Sequence, residues 1–149
     1  MSEDDYWVKI KEGHPWGELR TPEEQSVVQD EVVRRVIDLV ASTKNVVLEF
    51  ILYEDPPRPL LNYQRALSAS GIPFTTRILR PSVDEVLRRM KTRGRARDSD
   101  VEKRRAQVEH QLRCLAAPCM QEDWIIDTSS IPLEEVYATH FRAMVESGG

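Results

Sequence analysis

Seven arginines fall between residues 88 and 105: Arg88, Arg89, Arg93, Arg95, Arg97, Arg104 and Arg105. The guanidinium group is planar, permanently charged and fork-shaped, so it suits bidentate capture of phosphate oxygens. From Arg80 to Arg113 eleven Lys/Arg outnumber six Asp/Glu, whereas the rest of the chain carries ten against nineteen, for a net charge of −4. A positive island in an acidic chain points to a local anionic ligand rather than to general affinity for polyanions. The competing reading is a solvated, charge-rich helical face. The predominance of Arg over Lys favours phosphate contact.

Other reactive side chains are sparser. Asp4 and Asp5 adjoin Tyr6 and Trp7, with His14 and Trp16 close behind. This reads as a solvated acidic stretch, with Trp7 and Trp16 arguing that it is partly docked. Glu49 interrupts the apolar run Asn45–Tyr53, where a carboxylate must be paired, protonated or placed at a site. Asp127, Thr128 and Ser129 follow a short apolar segment. His110 and His140 read as helix-surface histidines. Cys114 and Cys119, five apart, match neither a CxxC redox pair nor a metal framework, so reduced thiols and no metal site are expected.

The elements that must carry these residues follow from capping and periodicity. Residues 4–20 have no steady period and read as irregular. Thr21-Pro22-Glu23-Glu24 is a helix start, with Thr at the N-cap, Pro at N1 and Glu at N3. Val28, Val32, Val36, Leu39 and Val40 give that helix its apolar face. Asn45–Tyr53 predicts a strand buried on both faces, as in a parallel sheet. A short helix over 60–70 ends at Gly71, and a strand over 74–79 follows. Ser82 and Glu85 form a capping box for a helix with the stripe Val83, Val86, Leu87 and Met90. Gly94 breaks that helix. The next one places Val101, Val108, Leu112 and Leu115 on one face. Residues 123–129 are a short strand with its exit turn, and Ser130 caps a last helix to about 145. The alternation predicts α/β layers over a parallel sheet.

At 149 residues, 40% hydrophobic and 31% charged, the chain fits one globular, soluble domain spanning 1–149. No apolar run reaches the ~20 residues of a membrane helix, and the start lacks a signal-peptide pattern. A cytoplasmic location and no membrane partner are expected. The acidic balance, with no aromatics among the arginines, argues against nucleic acid. The oligomeric state is open.

In its order of elements, its arginine hairpin and its closing Ile126-Asp127-Thr128-Ser129, the chain resembles the P-loop small-molecule kinases. The likeness is to the group containing gluconate kinase-like, chloramphenicol phosphotransferase-like and zeta-toxin-like enzymes, and it spans about residues 4–145. It implies a three-layer P-loop-type fold, a parallel sheet with helices on both faces, and a helical lid over about 88–105. It further implies ATP and Mg2+ as cofactors and a small hydroxyl-bearing molecule as substrate. Asp4 or Asp5 would contact the acceptor hydroxyl, with Tyr6, Trp7, His14 and Trp16 around it. Glu49 would be the Walker B-like acid. Arg89, Arg93, Arg95 and Arg97 would close on the phosphates, and Asp127, Thr128 and Ser129 would lie by the adenine.

The family's opening strand, GxxxxGKS/T loop and helix have no counterpart, since none of the six glycines precedes a Lys-Ser/Thr pair. That loop's amides and lysine cradle the β- and γ-phosphates. The chain therefore reads as a kinase-like domain without its first β-α unit, either a fragment with a displaced start or a shortened paralogue. Two functions are expected from it: a phosphotransferase-type domain without ATP turnover as it stands, or a non-catalytic nucleotide-, anion- or partner-binding domain.

Overall fold

The computed structural model describes residues 1–10, 21–42, 45–95 and 100–143, with residues 8–10 given through their backbone only. His14, Trp16 and Arg97 lie outside the described residues. The chain is a mixed α/β protein divided into two compact units. Residues 1–51 and 58–74 make up most of the first, and residues 52–57 and 75–147 most of the second.

The first unit holds helices α1 (Asp4–Ile10), α2 (Pro22–Ala41) and α3 (Arg58–Ala69). Helix α1 corrects the irregular reading of residues 4–10. Its first turn carries Asp4 and Asp5, whose charge suits the unpaired amides of a helix start. The expected capping box of α2 is present: Thr21 Oγ1 accepts from the Glu24 amide, and Glu24 Oε2 accepts from the Thr21 amide. Val28, Val32 and Val36 point inward from α2, as their spacing predicts. Val28 and Val32 meet Trp7 of α1 and Tyr63 of α3, and Leu48 and Phe50 pack on the outside of the cluster. Helix α3 gives way to Gly71 at φ 68°, a left-handed conformation natural to glycine.

The stretch 45–53 departs from its predicted form. It is joined to the chain start by one parallel bridge, Ser2 with Glu49, in which the Glu3 amide donates to Glu49 O and the Glu49 amide to Met1 O. Burial alternates along it. Val46, Leu48 and Phe50 turn inward, while Val47 and Ile51 are 65% and 51% exposed. It is thus half-buried, not buried on both faces. Uninterrupted apolar residues do not distinguish the two, because outward Val and Ile read the same as inward ones.

The second unit is built on a parallel pair, β1 (Ile78–Arg80) and β2 (Ile125–Asp127), in register Ile78 to Ile125 through Arg80 to Asp127. Among the described residues this is the whole sheet, two strands rather than the layered sheet expected. Strand β1 leads into α4 (Val83–Arg93), which ends at Gly94 with φ 60°. Helix α5 (Val101–Cys114) returns against α4, so the arginine-rich segment is a helical hairpin as predicted. Its turn residues 96–99 lie outside the described residues. The faces of these helices are less buried than their sequences imply. Val83, Val86, Leu87 and Met90 are only half-buried, and Val101 is 60% exposed, leaving Val108 and Cys114 as the buried residues of α5. A short 3-10 turn (Glu122–Trp124) precedes β2, and α6 (Leu133–His140) closes the unit.

Candidate functional site

The arginines of α4 are set by the way β1 and β2 hand the chain on. Beyond β2, the Thr128 amide donates to Arg80 O, continuing the ladder by one residue. Ser129 then donates to Asp127 Oδ1 twice, from its amide at 2.8 Å and from its hydroxyl at 2.6 Å. These two bonds, with the nearby Arg80 charge, hold the Asp127 carboxyl below the usual carboxylate range. The Ser129 hydroxyl oxygen in turn accepts from the Ser82 amide at 2.8 Å, tying the exit of β2 to the start of α4.

This changes the cap of α4. Ser82 Oγ accepts from the Glu85 amide as a capping box requires, but the return bond is absent because Ser129 already takes the Ser82 amide. Glu85 is released toward the arginines. Arg88 donates to both its oxygens, from Nε at 2.7 Å and Nη2 at 2.8 Å, and Arg89 Nε donates at 2.6 Å. The hydrogen bonds from Arg88 and then Arg89 lower the Glu85 pKa from 4.5 to about 2. Arg89 Nη2 also donates to Thr128 O at 2.9 Å, which anchors its guanidinium beside the β2 exit.

One helical turn further on, Arg93 and, beyond Gly94, Arg95 are exposed, and among the described residues neither has a hydrogen bond or ion pair. An open depression of about 490 Å³ runs along this face, lined by Val86, Arg88, Arg89, Thr92 and Arg93. Across the hairpin, Arg105 Nη2 lies 3.4 Å from Asp84 Oδ1 and its Nη1 3.9 Å from Glu109. Both contacts are exposed and contribute little to stability. The result is an open hollow with the engaged guanidinium groups of Arg88 and Arg89 at one end and that of unpaired Arg93 at the other.

The remaining residues singled out from sequence fall into different settings. Asp127, Thr128 and Ser129 form the joint just described. Thr128 is 4% exposed, and its hydroxyl has no hydrogen-bond partner. Asp4 and Asp5 are exposed in the first turn of α1, and Glu49 points outward from its half-buried stretch. Glu49 therefore needs neither the pairing nor the protonation that burial on both faces would impose. Trp7, expected to line an acceptor pocket, is instead 1% exposed in the core of the first unit. Tyr6 is half-buried, with its hydroxyl 3.6 Å from Met1 Sδ. Asp4, Asp5, Tyr6, Trp7 and Glu49 belong to the first unit and the described arginines of the hairpin to the second.

Sequence reasoning missed two residues of consequence. Glu3, buried in the first unit, accepts from Trp7 Nε1 at 2.9 Å and from the Tyr63 hydroxyl at 2.7 Å. Burial and the Glu3 charge push the Tyr63 phenol well above its ordinary pKa. The spacing of Glu3 to Trp7, one helical turn, was a signal, but Tyr63 is sixty residues away and nothing local announces it. Glu85 was read as a cap only. In addition, His110 Nε2 lies 2.8 Å from Tyr53 O and 3.7 Å from Cys114 Sγ. A carbonyl oxygen only accepts, so that nitrogen carries a proton and is not a base for the thiol.

No family model, curated protein or solved structure matches this chain.

Proposed function

We propose that the chain is a phosphate-binding domain of the P-loop kinase type, which holds nucleotide phosphates against α4 without transferring them. The observation that carries this reading is the depression on α4, with Arg88 and Arg89 at one end and unpaired Arg93 at the other. Anchored guanidinium groups lose little freedom on meeting an anion, and unpaired ones supply uncompensated charge. Phosphoryl transfer needs more. Positioning provides most of the catalysis in that reaction, and these 149 residues contain no GxxxxGKS/T cradle. Magnesium, which the resemblance implies, meets no group of three or more His, Cys, Asp or Glu side chains among the described residues.

A second reading, phosphotransfer from ATP to a small hydroxyl compound, is favoured by the exposed carboxylates of Asp4 and Asp5 at the start of α1.

Calorimetric titration with ATP and with pyrophosphate, run beside an assay for ADP release, tests both. The expected result is saturable binding of each ligand, weakened by Arg93→Ala combined with Arg95→Ala, and no ADP release. Absence of binding overturns the first reading. ADP release that Arg93→Ala abolishes replaces it with the second.

A further inference from the structure

An extended segment offers two edges, and among the described residues only one edge of residues 46–51 is taken. Both backbone groups of Glu49 are spent on the chain start, its amide on Met1 O and its carbonyl on the Glu3 amide. In a parallel pair, alternate residues turn their amide and carbonyl groups to opposite edges. Leu48 and Phe50 must therefore direct theirs away from that pairing, and among the described residues these groups have no hydrogen-bond partner. The side chains of Leu48 and Phe50 pack on the Trp7–Tyr63 core, which fixes the segment's orientation. Exposed strand edges are usually blunted by lysine, proline or a bulge. The sequence Val46-Val-Leu-Glu-Phe-Ile51 has no lysine or proline, and Glu49 is its sole charge.

We propose that this edge accepts an extended strand from a protein partner, with a Lys or Arg opposite Glu49 and apolar residues opposite Val47 and Ile51. The outward face of the segment reads apolar, acidic, apolar, and cross-strand neighbours on one face interact directly. The complementary strand thus reads apolar, basic, apolar. A second copy of this chain is a poor match. The antiparallel register that sets Val47 against Ile51 also sets Glu49 against Glu49, and like charges directly opposite destabilise a pair. Main-chain hydrogen bonds would supply affinity, and the central charge would supply selectivity. This edge shares no residue with the arginine depression and does not depend on its reading.

The test uses the 15N-labelled chain and a blocked heptapeptide, Thr-Val-Thr-Lys-Thr-Val-Thr, with a control carrying Glu in place of Lys. The lysine peptide is expected to slow amide hydrogen exchange at Leu48 and Phe50 several-fold, leaving the Glu49 amide unchanged. The control should bind more weakly, and Glu49→Lys, an exposed substitution, should reverse that order. Lack of protection at Leu48 and Phe50 overturns the proposal, as does equal binding of the two peptides to the wild-type chain. Protection that grows with protein concentration in the absence of peptide assigns the edge to a second copy and likewise overturns it.

Discussion

Glu85 is the residue on which the α4 site turns. Its carboxylate already occupies Arg88 and Arg89, so it competes with any incoming anion for the same donors. Glu85→Gln is expected to raise affinity for pyrophosphate several-fold in calorimetric titration, because the amide keeps the shape but loses the charge-assisted bonds. The pH dependence has a definite sign. The Glu85 pKa is lowered from 4.5 to about 2, so its pairing is fully present above pH 4.5 and lost as pH falls toward 2. A carbon-detected NMR titration of the Glu85 carboxyl should find its midpoint near that lower value. In the first unit, Tyr63→Phe removes a donor from the buried Glu3 carboxylate. The expected cost is about 1–3 kcal/mol in urea unfolding, the usual penalty for leaving a buried polar group short of a partner.

At the scale of elements, capping and glycine chemistry are legible in the sequence. Thr21 with Glu24, Ser82 with the Glu85 amide, and the stops at Gly71 and Gly94 all stand where the sequence places them. Each depends on contacts within four or five residues. Gly94 offers a clean check. A Cβ added there meets nothing within 4 Å, so Gly94→Ala tests backbone conformation alone. At φ 60° the alanine should cost about 1–2 kcal/mol, read as a lower melting temperature with the far-ultraviolet spectrum unchanged. What misled the sequence reading was partner choice. The return arm of the Ser82 capping box gave way to Ser129, 47 residues on, and among the described residues the 45–53 run made one bridge, Ser2 with Glu49, where a sheet strand was expected.

For the molecule as a whole, the segregation of charge sets how it meets anions. The positive island lies in a chain of net charge −4, so attraction is short-ranged and confined to the hairpin. Raising salt from about 0.05 to 0.5 M shortens the screening length several-fold and should weaken pyrophosphate binding in step. Duplex DNA should show no retention in a gel-shift assay near physiological salt, because the acidic remainder repels a long polyanion while sparing a small one. Among the described residues no helix is long and apolar enough to cross a membrane.

By itself, the amino-acid sequence determined helices α2 to α5, the caps at Thr21 and Ser82, the stops at Gly71 and Gly94, the two-helix arginine segment and the local excess of positive charge. Those follow from interactions between residues a few positions apart, or from simple counting. Only the tertiary structure decided which arginines are engaged, that Trp7 and Glu3 form a core with Tyr63, and that Leu48 and Phe50 present an edge unpaired among the described residues. Those outcomes depend on which distant group reaches a donor or acceptor first, a competition that local pattern does not encode.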